Sequence, residues 1–70
     1  MKIAGNGKYS IYVYKDHPPP HCHVRCKNGE EWIIEIPLLT DLFGQIMPKD
    51  MFKFLTENIT AISVKWEELN

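Results

Sequence analysis

Between Lys8 and Lys15 apolar and aromatic residues alternate, so that an extended chain puts Ile11 and Val13 on one side and Tyr12 and Tyr14 on the other. That pattern predicts a strand. Asp16-His17-Pro18-Pro19-Pro20 interrupts it, and because prolines cannot donate to a sheet ladder this segment reads as a stiff connector. Two further strands are predicted over His21–Cys26 and Glu31–Ile36, joined around Asn28-Gly29 as a hairpin. A two-residue loop would place Val24 opposite Ile33 and mix polar with large apolar groups on both faces. A three-residue loop, Lys27-Asn28-Gly29, pairs Val24 with Trp32 and Cys22 with Ile34 on one face. The other face then pairs His21 with Glu35, His23 with Ile33 and Arg25 with Glu31. Since a slip of one residue exchanges the two faces, burial selects the three-residue loop, with Gly29 left-handed at a bulge.

After Pro37 the segment 38–47 is apolar without clear periodicity, and reads as a short strand or an irregular link. A helix is predicted from Pro48, where proline suits the first turn and Asp50 the positive end. Phe52, Leu55, Ile59, Ile62, Trp66 and Leu69 recur every three or four residues and form its apolar stripe. Residues 1–7, with Gly5, Asn6 and Gly7, read as a flexible lead-in. The expected architecture is therefore a single α+β domain over residues 1–70. It has a small antiparallel sheet of three strands, or four if 38–47 extends. One C-terminal amphipathic helix packs on the face carrying Ile11, Val13, Cys22, Val24, Trp32, Ile34 and Ile36.

Composition narrows the functional classes. Hydrophobic residues make up 44% and charged residues 24%, the balance of a folded chain and not a disordered one. Eight basic against nine acidic residues give a net charge of −1, which disfavours a nonspecific polyanion binder. No apolar run approaches a membrane span and no secretory signal pattern is visible, so a cytoplasmic location with no membrane partner is expected. Cys22 and Cys26, on one strand, lie roughly 13 Å apart, too far for a disulfide. They are read as free thiols in a reducing compartment.

The sheet face opposite the helix carries Tyr12, Tyr14, His21, His23, Arg25, Ile33 and Glu35, and all three histidines lie within His17–His23. Several chemistries compete for these groups. His21 and His23, two apart on one strand, can converge on zinc or another divalent transition metal, with Glu35 as a further carboxylate. Extended prolines hold His17 away from His21, and Asp16 is equally hard to recruit, unless a cis proline, which nothing in the sequence establishes, folds the connector back. His17 then orders the proline turn through a local hydrogen bond. Two histidines with Arg25 and two tyrosines also match the residue types of a small ribonuclease, though no nucleophile or phosphate loop accompanies them. Stacking of bases on Tyr12 and Tyr14 would make an RNA-binding surface. The plainest reading is a protein interface, with a protein partner or a second copy of the chain, because interfaces favour Tyr and Arg.

The run Asp16-His17-Pro18-Pro19-Pro20-His21-Cys22-His23-Val24 resembles the signature D-H-x-P-P-H-x-H-V of a family of small bacterial domains of unknown function. Gly44 and Pro48 resemble the family's step into its last helix, one residue longer here, and Cys22 stands where the family has an aromatic residue. The resemblance implies a strand-rich domain with a C-terminal helix. It also implies that Asp16, His17, Pro19, Pro20, His21 and His23 are the signature residues, and that a protein partner in a toxin–antitoxin-like or regulatory gene pair is to be expected. It carries no activity. On these grounds a non-enzymatic binding domain is expected, working through Tyr12, Tyr14, His21, His23, Arg25 and Glu35. A metal site at His21 and His23 is the alternative, and RNA binding or cleavage the third reading.

Overall fold

The structure, a computed structural model, describes residues 1–70. Five antiparallel strands follow one another in sheet order as they do in sequence: β1 (Lys2–Gly5), β2 (Tyr9–Tyr12), β3 (His21–Cys26), β4 (Glu31–Glu35) and β5 (Thr40–Asp41). Two helices, α1 (Lys49–Glu57) and α2 (Ile59–Leu69), complete the chain. The class is the α+β arrangement expected, with a wider sheet and a divided helix.

The β3–β4 hairpin adopts the register that burial demands. His21 pairs with Glu35, Cys22 with Ile34, His23 with Ile33, Val24 with Trp32 and Arg25 with Glu31. The loop is Lys27-Asn28-Gly29, closed by the Cys26 N–H donating to the Glu30 carbonyl at 2.8 Å. Gly29 has φ +96°, a conformation in which a Cβ would be strained. Ile11, Val13, Cys22, Val24, Trp32, Ile34 and Ile36 are all buried on one face. Met51 and Leu55 of α1, with Ile62 and Trp66 of α2, complete the core against them.

Four expectations need correction. Residues 1–7 are not a loose lead-in, because Lys2–Gly5 pairs with β2. Asn6-Gly7 is the turn, with Asn6 Oδ1 accepting the N–H groups of Lys8 and Tyr9 at 2.8 and 2.7 Å. The second strand is shorter than Lys8–Lys15, although the Val13 N–H still donates to the Met1 carbonyl. The single predicted helix is interrupted at Asn58 (φ −113°, ψ 8°), whose side-chain amide donates to the Phe54 carbonyl at 2.8 Å. That bond offers the backbone a local alternative to continued helix, as short polar side chains do. The stripe also shifts by one residue at its start, with Met51 1% exposed and Phe52 49%.

The link 38–47 resolves into β5 and the turns around it. Asp41 is buried, and its Oδ2 accepts the N–H groups of Phe43 and Gln45, both at 3.0 Å. This leaves Leu38, Leu42, Phe43 and Ile46 exposed along the β5 edge. No helix is long and apolar enough to cross a membrane.

At the far end of the sheet, Lys8 Nζ and the Tyr9 hydroxyl both donate to the Asp50 carboxylate at 2.7 Å. These bonds, that of Lys8 foremost, hold the Asp50 carboxyl below its ordinary value. Its stabilising contribution is therefore complete above about pH 4 and is lost as pH falls through the lower folded value. Asp50→Asn should lower the urea midpoint near neutral pH and have less effect near pH ~3. Met51→Ala should cost about 2–5 kcal/mol by emptying a core position, whereas Phe52→Ala should cost less than about 1 kcal/mol. Urea unfolding of the two variants separates them.

Candidate functional site

The connector between β2 and β3 doubles back over the start of β3. The Pro18–Pro19 peptide is cis. The Asp16 N–H donates to Asn70 Oδ1 at 3.0 Å, and the Asn70 amide group donates to the Trp66 and Tyr14 carbonyls at 3.1 and 3.4 Å. The last residue of the chain thus fixes the connector to the end of α2. Asp16 Oδ1 in turn accepts the His17 N–H at 2.8 Å, which leaves Oδ2 turned toward β3.

Both β3 histidines aim at that oxygen. His21 Nε2 lies 3.1 Å from Asp16 Oδ2, and His23 Nε2 lies 4.0 Å from the same atom. One ligand atom from each of Asp16, His21 and His23 falls within 4.8 Å of the others. The distal nitrogens face acceptors. His21 Nδ1 is 2.8 Å from the Pro19 carbonyl, and His23 Nδ1 is 3.9 Å from Glu31 Oε1. A carbonyl oxygen only accepts, so His21 Nδ1 must carry the hydrogen. Neutral His21 would then point the lone pair of Nε2 at a carboxylate oxygen. That contact is favourable only with a positive charge in between, whether a second proton or a metal ion.

His23 is less well satisfied. Neither of its ring nitrogens has a hydrogen-bond partner, although both are buried. Burial pulls the imidazole below its ordinary pKa, against the opposing charge of Glu31, which keeps the ring neutral at neutral pH. The Asp16 carboxyl is held below its ordinary value, first by the His17 N–H and then by His21. Two buried ring nitrogens without partners are a standing cost that a ligand would remove.

Around this cluster the open face forms a ladder. Tyr14 meets His23 edge-on at 5.0 Å, Tyr12 stacks on Tyr14 at 6.2 Å, and the Arg25 guanidinium lies 4.7 Å over Tyr12. Arg25 Nε also donates to Glu31 Oε2 at 3.4 Å. A surface cleft of about 420 Å³ opens beside Asp16, walled by Pro18, Trp66, Glu67 and Asn70. The largest cavity, about 510 Å³, lies between Tyr9, Trp32 and Met51 at the other end of β3 and contains no histidine.

Several expectations change here. His21 is not on an open surface: it is only 7% exposed, and its ring packs 5.1 Å from that of Trp66. Asp16, expected out of reach, is the residue that joins the two histidines. His17 stays exposed outside the cluster, as its connector suggests, and it is its backbone N–H that orders the turn. Glu35 pairs in register with His21 but forms no ion pair, and within the hairpin it is Glu31 that faces a histidine ring, at 3.9 Å from His23 Nδ1. Glu31, Asn70 and the Pro19 carbonyl were not foreseen as site groups. Glu31 had a signal in its diagonal position to His23 across the hairpin, whereas Asn70 had none in the sequence.

An antiparallel five-stranded sheet backed by two helices, with an Asp-His-His cluster at the start of its central strand, defines a small α+β domain of one type. The family model described as Domain of unknown function (DUF4160) matches residues 8–67, and the chain belongs to that family. No curated protein and no solved structure matches the chain.

Burial pushes the Cys22 thiol up to about 12, and it raises that of the less enclosed Cys26 as well. Neither is a ready nucleophile. In the folded protein iodoacetamide should modify Cys26 before Cys22, with Cys22 labelled only on unfolding. Peptide mass spectrometry after timed labelling checks the order.

Proposed function

We propose that this domain binds a divalent transition metal, zinc being the first candidate, through Asp16 Oδ2, His21 Nε2 and His23 Nε2. One observation carries the reading: two imidazole nitrogens and a carboxylate oxygen converge, while the His21 hydrogen is committed to the Pro19 carbonyl on the far side of the ring. Metal-ligating histidines are held in this way, by an acceptor behind the ring that leaves the front nitrogen bare. A tetrahedral ion with bonds of about 2.0–2.1 Å needs its ligand atoms roughly 3.3 Å apart. The His21–Asp16 distance already fits, and His23 has to close by roughly 1 Å. Three protein ligands leave a position for water or an external group, and a mixed nitrogen and oxygen set suits zinc and its neighbours.

A second reading, interaction with a protein partner as in a toxin–antitoxin-like or regulatory pair, is favoured by the ladder of Arg25, Tyr12 and Tyr14 on the bare sheet face. It is compatible with the first, since the ladder adjoins His23 without using its nitrogens.

The test is a titration of chelator-stripped protein with zinc, followed through the histidine ring resonances. Saturation at one ion per chain is expected, centred on His21 and His23. His23→Ala and Asp16→Asn should each weaken binding tenfold or more while the amide spectrum stays folded. Uptake that never saturates, or that survives His23→Ala unchanged, would sink the proposal.

A further inference from the structure

We infer that Glu31 is the positioning residue for His23 in metal binding, and that Arg25 restrains it by competing for the same carboxylate. This rests on the metal reading above and specifies how that site is regulated. The two histidines are supported differently. His21 is backed by a main-chain carbonyl, which the fold keeps in place. His23 has behind it only a side chain, the Glu31 carboxylate, at 3.9 Å. His23 is therefore the adjustable half of the site.

Once His23 Nε2 gives its lone pair to a metal, the ring hydrogen must sit on Nδ1. That nitrogen is buried with no other partner, so Glu31 Oε1 is the acceptor available to it. Glu31 has to approach by roughly 1 Å to make an ordinary hydrogen bond. Its other oxygen is held by Arg25 Nε at 3.4 Å, a bond already long. Arg25 stands directly opposite Glu31 in the ladder and is braced over Tyr12, so it does not follow the carboxylate inward. Movement of Glu31 toward His23 therefore weakens its bond to Arg25. By linkage, whatever loosens that bond tightens the metal.

The experiment measures zinc affinity, by competition with a chromophoric chelator, in the full chain and in four variants. Glu31→Ala should weaken binding tenfold or more, the usual cost of losing the group behind a ligating histidine. Glu31→Gln, whose amide oxygen still accepts, should recover most of that loss. Arg25→Gln should tighten binding roughly fivefold, and the gain should vanish in Arg25→Gln/Glu31→Ala. Nitrogen-15 spectra of the metal-free protein supply a readout that general loosening would not mimic. Asp16 and Glu31 face the two ring nitrogens of His23 at 4.0 and 3.9 Å, so the share of its hydrogen on Nδ1 should fall in Glu31→Ala relative to the parent chain. A gain from Arg25→Gln that persists without Glu31 would be the field of a removed charge, and would overturn the inference. Unchanged affinity in Glu31→Ala would do the same, with the metal site itself intact. Failure of the parent chain to take up zinc at all would instead bring down the metal reading.

Discussion

Gly29 turns the chain in a left-handed conformation, and the three-residue loop it closes holds β3 and β4 in a single register. Because side chains alternate across a strand, that register assigns every residue of the hairpin to one side or the other. Cys22, Val24, Trp32 and Ile34 go under the helices, where each is buried. His23, Arg25, Glu31 and Ile33 are sent to the opposite side by the same parity. The placement of the candidate site is thus inseparable from the packing of the core. A slip of one residue would expose the apolar set and push the histidines and acids into it.

Parity alone brings His21 and His23 to the same side, and a second constraint closes the cluster around them. The connector from Tyr14 to Pro20 is tied to the end of α2 by Asn70, and Trp66 of the same helix lies against the His21 ring. The helix that covers the core face therefore reaches the edge of the other face at this one place. The ring of His21 is sequestered, its hydrogen is assigned to Pro19, and the only carboxylate within reach is Asp16. His23, one turn of the pleat further along, meets the aromatic ladder and is supported by side chains alone.

These two constraints differ in how far they can be read from residues. The hairpin register follows from alternation and one Asn-Gly turn, both local, and the buried set on β2, β3 and β4 came with it. The helix break at Asn58 is local too, but its cause is a single side-chain bond to Phe54 that competes with an otherwise continuous apolar spacing. β1 was hidden because Gly5-Asn6-Gly7 suits a hairpin turn as well as a loose end. The burial of His21 and the recruitment of Asp16 depend on contacts with Trp66 and Asn70, dozens of residues away. No spacing rule reaches that distance. Histidines could be picked out as candidate site residues from their clustering, while their carboxylate partner could be chosen only by the fold.

Between Ile36 and Pro48 the chain carries one charged side chain, Asp41, and that residue is turned inward to hold its own turn. Leu38, Leu42, Phe43 and Ile46 are left facing water beside a two-residue edge strand. Sheet edges elsewhere are guarded by outward charges or prolines that discourage a neighbour from pairing, and this one has no such guard along β5. A net charge of −1 supplies little long-range repulsion to compensate. The colloidal behaviour of the molecule is accordingly set at this margin: it is the side from which crowding and concentration would first draw molecules out of solution.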